Sequence, residues 1–193
     1  MEILGKIFGS TARVKIMRLF ISNVEQTFES KDIVARSRVN SAVVRKELSL
    51  LSSIGFIKKK KQGYYFNLSF QYARQIENLI VGVDMFDRNA LLKTFKKAGK
   101  VKLIIVSGAF IKSKDSRVDL LIVGDKIKRK TVEDGLKKIE SEIGTELTYA
   151  VFDTEEFVYR LNMYDKLVRD ILDFTHEVLL ESKELSTQYL KKP

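Results

Sequence analysis

Between Asn40 and Leu68 the hydrophobic period changes once, at Gly55, and few folds accommodate that change in so short a span. Before it, Val44, Leu48 and Leu51 recur at i, i+4 and i+7. That spacing predicts a helix with one buried face, leaving Ser41, Ala42, Arg45, Lys46 and Ser49 on the opposite side. After it, Phe56-Ile57, the lysines Lys58, Lys59, Lys60 and Lys61, Gln62-Gly63 and the stretch Tyr64 to Leu68 make two β-prone segments around a glycine, which predicts a hairpin. Gly55 stands where a left-handed residue closes a helix. A helix must therefore run almost directly into a hairpin with one strongly basic arm.

Upstream, Ser10 is placed to start a first main helix over about Thr11 to Ile21. Ser30 precedes a short helical stretch, Lys31 to Arg36, and is expected to cap it. Ser37-Arg38-Val39 reads as a turn, and Asn40 or Ser41 caps the third helix, which runs to about Ser53. The order is helix, helix, helix, hairpin.

Charge follows the same segment. Residues 1–80 hold 14 Lys and Arg against 6 Asp and Glu, whereas residues 81–193 hold 21 against 19, so most of the net +10 belongs to the N-terminal part. A basic face attracts a phosphate backbone and releases its counterions without choosing a sequence. Base choice needs the helix: small polar and basic residues on an exposed face suit entry into a major groove.

Downstream, helical spacing runs from Phe70 to about Lys97 through Ala73, Ile76, Ile80, Leu91, Leu92 and Phe95. Strands are expected over Lys102 to Val106, Val118 to Gly124 and Glu146 to Phe152, with a helix over Thr131 to Ile143. Another helix is expected to open through a Thr154 cap, with acidic residues in its first turn. Tyr164 to Leu190 reads as helical. The expected class is α+β in two domains: residues 1–80, a helical connector over 81–98, and an α/β domain over 99–193 with a small mixed sheet and C-terminal helices. No Pro/Gly/Ser-rich linker separates them, and the only proline is Pro193.

The N-terminal segment resembles the winged helix-turn-helix of prokaryotic transcription regulators over about residues 4–70. The likeness is carried by Ile7-Phe8-Gly9-Ser10 to Phe20, and by Arg45-Lys46-Glu47-Leu48 through Leu51 to Gly55-Phe56-Ile57. It implies a double-stranded DNA partner. Bases would be read from Ser41, Ala42, Arg45, Lys46 and Ser49, with Arg38, Asn40, the wing lysines and Tyr64 completing the contact. One of Tyr64 and Tyr65 is expected to pack inward, because alternate hairpin residues face the core. A single winged helix offers a small interface, so a homodimer on a two-fold operator is expected.

The C-terminal segment resembles the nucleotidyltransferase fold of the DNA polymerase β type over about residues 95–175. The marks are Ser107-Gly108-Ala109-Phe110, Ser116-Arg117-Val118-Asp119-Leu120, Gly144 to Tyr149 and Glu155-Glu156-Phe157. Active members carry a Gly-Ser pair for the phosphates, two carboxylates at i and i+2 on a strand, and a third on a later strand, which together hold two Mg²⁺ ions. Here Gly108 is kept, but Ala109 replaces the serine, Arg117 the first carboxylate, and Thr148 the third, with Glu146 offset. Asp119 alone remains. The resemblance therefore implies a non-catalytic domain for ligand sensing, scaffolding or dimerisation, in which Gly108, Ala109, Arg117 and Asp119 form a vestigial nucleotide pocket. In that domain Arg117 either contacts a phosphate or pairs with Asp119. The competing expectation is an active nucleotidyltransferase, in a toxin–antitoxin setting, with the winged helix as targeting module; rescue by Asp115 would be its one route to a second ligand.

No metal or cofactor is expected. The chain has no cysteine and one histidine, His176, expected on a helix surface, so thiolate sites, a histidine zinc site and a Ser-His-Asp triad lack their residues. There is no Walker-type or dinucleotide glycine loop. Absence of cysteine suits a reducing cytoplasm, Met1 to Ser10 lacks the pattern of a signal peptide, and no apolar run approaches the roughly 20 residues that span a bilayer.

Overall fold

The structure, a computed structural model, describes residues 2–81, 86–113 and 115–186. The fold is mixed α+β with two small sheets. It divides into two compact units: Met1–Phe86 together with Lys137–Glu146, and Asp87–Leu136 together with Leu147–Pro193. Part of the segment assigned by sequence to the C-terminal domain thus groups with the first unit.

The first unit begins with a short helix α1 (Glu2–Ile7) and α2 (Thr11–Ile21), whose cap Ser10 accepts from the Arg13 amide at 3.1 Å. A two-residue strand β1 (Thr27–Phe28) leads into α3 (Ser30–Ser37). Glu29, not Ser30, occupies the cap of α3, and the Asp32 carboxylate accepts from the Glu29 amide at 3.1 Å. α4 (Ser41–Ser53) starts from Asn40, whose side-chain oxygen accepts from Ala42 N at 2.9 Å. It ends where Gly55 takes a φ of +78° and Phe56 N donates to Leu51 O. The hairpin is β2 (Ile57–Lys60) and β3 (Gly63–Phe66), and β3 also pairs with β1 in a three-stranded antiparallel sheet. α5 (Ala73–Val81) follows, with Ile80 buried. Ile16, Leu19 and Phe20 of α2, Ile33 of α3, Val44, Leu48 and Leu51 of α4, and Phe56, Ile57 and Phe66 of the sheet share one core. Burying each such side chain is worth about 1.5–3 kcal/mol, which fixes the face α4 must hide.

In the second unit, α6 (Arg88–Lys96) is capped by Asp87. It covers most of the described part of the helical connector expected over 81–98, of which residues 82–85 lie outside those described. β4 (Lys100–Val106), β5 (Leu120–Asp125), α7 (Arg129–Ile143), β6 (Tyr149–Phe152) and α8 (Thr154–Asn162) come next. α7 passes the boundary between Leu136 and Lys137. Asp153 caps α8 by accepting from Glu156 N at 2.7 Å; Thr154, expected in that place, instead donates its hydroxyl to Asp125 at 2.6 Å. That bond and the ammonium of Lys102 hold the Asp125 carboxyl below the ordinary range.

The expectation of helix over Tyr164 to Leu190 is overturned. α9 (Lys166–Asp173) stops, a strand β7 (Glu177–Glu181) follows, and then a short α10 (Lys183–Ser186); residues 187–190 lie outside those described. Pairing decides it: β7 runs antiparallel beside β4, satisfying an edge that would otherwise be open, and this outweighs local helical preference. The sheet order is β6-β5-β4-β7, with β5 and β6 parallel and the other pairs antiparallel, so the sheet is mixed. Among the described residues no helix is long and apolar enough to cross a membrane.

Candidate nucleic-acid interface

α4 turns two faces outward and inward as its spacing predicts. Val44, Leu48 and Leu51 are buried, while Ser41, Ala42, Arg45, Lys46 and Ser49 are exposed. Glu47 also lies on the hidden side, only 4% exposed, and is answered by Arg13 of α2 at 2.7 Å. Arg13 in turn donates to Phe8 O at 2.6 Å, so the pair ties α4 to the chain before α2. A carboxylate buried this far is tolerable only with such a partner. Arg38 is exposed at a φ of +54°, closing α3 and turning the chain into α4. Asn40 uses its carbonyl oxygen as the helix cap and leaves its amide NH₂ for a ligand.

An open cleft of about 320 Å³ lies between the starts of α3 and α4, lined by Ser30, Lys31, Val34, Ser41, Val44 and Arg45. Ser30 and Lys31 were not foreseen here, because neither spacing nor charge in the sequence links them to Arg45.

Strand register sorts the lysine run. Directly opposite residues share a face and neighbours alternate. Lys59 pairs with Tyr64, and Tyr64 with Phe28, on the face of Ile57 and Phe66. Tyr64 is accordingly half-buried and packs on the core, the tyrosine of the pair that turns inward; Lys59 keeps its ammonium 5.7 Å from that ring. Lys58 and Lys60 lie on the outer face with Tyr65, and Lys60 Nζ sits 4.1 Å over the Tyr65 ring. An open hollow of about 370 Å³ on this face is lined by Thr27, Lys58, Lys60, Tyr65 and Asn67, among others. Lys61 and Gln62 form the turn, and Gly63 is required next to it: at a φ of +134°, a Cβ would overlap the backbone of Phe28 and Glu29.

Around α4 and the hairpin two sets of cations differ. Arg13, Lys15, Lys31 and Arg36 are paired with Glu47, Glu142, Glu29 and Glu146. Arg38, Arg45, Lys46 and Lys58 to Lys61 are exposed, and among the described residues no ion pair engages them.

The corner of the second unit that carries Gly108, Ala109, Arg117 and Asp119 is organised in the opposite way. Asp119 precedes β5 rather than lying on it, and its carboxylate accepts from Ala109 N at 2.6 Å and from Thr148 N at 2.8 Å. Gly108 has a φ of +51°, and a Cβ there would overlap Asp119 Oδ1. Ser107 Oγ donates to Val118 O. Arg117 pairs with Asp170 of α9 at 2.8 Å, so the expected Arg117–Asp119 pair is not formed: Arg117 lies in the loop before β5, not two places along a strand from Asp119. Asp115 is exposed. His176 lies just before β7, with Nδ1 2.8 Å from Phe174 O, not on a helix. Among the described residues no group of three or more His, Asp or Glu side chains is arranged to hold a metal ion.

Comparison with protein-family models, with curated proteins and with solved structures finds no match for this chain.

Proposed function

We propose that the chain is a DNA-binding transcription regulator of the winged helix-turn-helix type, with α4 as reading helix and the β2–β3 hairpin as wing. The observation that carries this reading is the division of cations: those beneath and beside α4 are neutralised within the unit, whereas those on its outer face and on the hairpin are left without carboxylate partners. Seven unneutralised cations beside an exposed row of small polar residues suit a polyanion with readable edges. Ser41, Ala42, Arg45, Lys46 and Ser49 read bases; Arg38, Asn40 and the wing lysines position the backbone. A single such module buries about 600–1,000 Å² of protein surface on DNA, so two copies on a two-fold site supply the affinity of a regulator.

The second unit, in this reading, is a nucleotidyltransferase-like scaffold without transferase chemistry. Each oxygen of Asp119, the one acidic position retained, accepts from a backbone amide. Arg117, at another ligand position, repels a divalent cation.

Selection of bound duplexes from a random pool, followed by titration at several salt concentrations, tests the proposal. Arg45→Ala is expected to weaken the selected site by about 1–3 kcal/mol while sparing random DNA. Equal loss on both would remove Arg45 from base reading, and failure of the native chain to enrich any sequence would overturn the regulator.

A further inference from the structure

The first unit contains a segment remote in sequence, Lys137–Glu146, that includes the end of α7. The last turn of a helix leaves carbonyls without intrahelical donors and carries the negative end of the helix dipole. Here three successive carbonyls are answered by α2 and the residues just after it. Arg18 Nη1 donates to Glu142 O at 2.8 Å, Ser22 Oγ to Ile143 O at 3.3 Å, and Asn23 Nδ2 to Gly144 O at 2.7 Å. Lys15 pairs with the Glu142 carboxylate at 2.8 Å, and Arg36 of α3 with Glu146 at 2.9 Å. Arg18 is 2% exposed, and its Nε donates to Ile80 O at 3.0 Å, so the same guanidinium also holds the end of α5. Burial opposes its charge, and the Glu142 carboxylate works the other way. Gly144 closes the seat: its φ is +82°, and a Cβ would come within 2.5 Å of the Arg18 carbonyl carbon and 2.7 Å of Leu19 N.

These contacts bear on the two helices that frame α4. α2 shares its core and the Arg13–Glu47 pair, and α3 leads into it through the Arg38 turn. Resting on the DNA-binding reading, we infer that Lys137–Glu146 is a working part of that site: seated on α2 and α3, it sets the attitude of α4, and Arg18 and Asn23 are positioning residues for sequence reading although neither faces the ligand. The sequence conceals this, since 115 residues (22–136) lie between α2 and the segment.

The test uses the full-length chain with Gly144→Val, which pushes the segment off its seat, and Asn23→Ala, which removes the amide that bridges Gly144 O to Leu19 O at the end of α2. Each is titrated with the selected duplex and with random DNA over a range of salt, and amide exchange is followed along α3 and α4. Both variants are expected to lose selected-over-random preference, Gly144→Val by about tenfold, equivalent to roughly 1.4 kcal/mol. Exchange in α3 and α4 is expected to quicken, while the salt slope on random DNA stays native because no exposed cation is altered. Unfolding would depress both kinds of binding together; if Gly144→Val does so, Asn23→Ala decides. Native preference and native exchange in Asn23→Ala would overturn the inference and leave the DNA-binding reading standing. A native chain without sequence preference would sink that reading and the inference with it.

Discussion

The outer face of α4 with its hairpin and the Gly108–Asp119 corner of the second unit both present polar groups in a pattern suggestive of a ligand, yet they treat those groups differently. On α4 and the hairpin, Arg45, Lys46 and the lysines have no carboxylate partner among the described residues. At the corner, Asp119 spends both oxygens on Ala109 N and Thr148 N, and Arg117 is taken up by Asp170. A polar group already engaged by partners within the fold serves structure first, whereas one left open to water can exchange that water for a partner. Motif alone would rank the two places together. Satisfaction separates them.

The largest effect that could break this comparison belongs to Asp119. If the carboxylate is a strut, Asp119→Ala strands the part-buried Ala109 amide, at a cost of about 1–3 kcal/mol, while the exposed Thr148 amide turns to water. Urea unfolding of the full chain is expected to show a loss of roughly 1–3 kcal/mol in the transition that includes the second unit, with affinity for random DNA unchanged. Asp119→Asn, which keeps one acceptor oxygen, falls between. A stable Asp119→Ala chain would mean that the carboxylate is free, and the case against chemistry at this corner would fail.

Much of the first unit was legible because its signals are local. Ser10, Asn40 and Gly55 mark helix ends through their own side chains or lack of one, and Val44, Leu48 and Leu51 declare a buried face by spacing. What stayed hidden depends on partners distant in sequence. Strand β7 exists because β4 offers an edge, and nothing within Glu177–Glu181 announces it. Glu47 sits in the basic helix, and only Arg13, 34 positions away, explains why it is buried. The division of Lys58 to Lys60 between two faces follows from register with β3, while which tyrosine turns inward follows from the pairing of Phe28 with Tyr64. For the candidate site, sequence thus supplied the members of α4 and missed what braces them.

Next in size is the hairpin. Lys58 and Lys60 share the outer face with Tyr65, whereas Lys59 lies on the Tyr64 face, so the run is two contact sets rather than one. The double change Lys58→Ala, Lys60→Ala is expected to lower the salt slope by about two and Lys59→Ala by about one, in each case alike for selected and random duplexes. An unchanged slope for the double variant would remove the outer face from the interface and assign phosphate contact to Lys59 and Lys61.

The smallest expected effect is the sharpest check on the corner. Arg117 and Asp170 form an ion pair at 2.8 Å, but the Arg117 side chain is 58% exposed. Exposed pairs of this kind contribute about 0–1 kcal/mol, since water screens the attraction and two long side chains must be held still. Arg117→Ala is therefore expected to change the unfolding free energy by less than about 1 kcal/mol and to leave DNA binding as it was. The same variant separates an idle arginine from a phosphate-holding one. If calorimetric titration of the native chain with a nucleoside triphosphate gave binding heat that Arg117→Ala abolished, the Asp170 pair would be a resting contact that a ligand displaces. The corner would then belong with α4 and the hairpin, as a place whose polar groups are held ready for a partner.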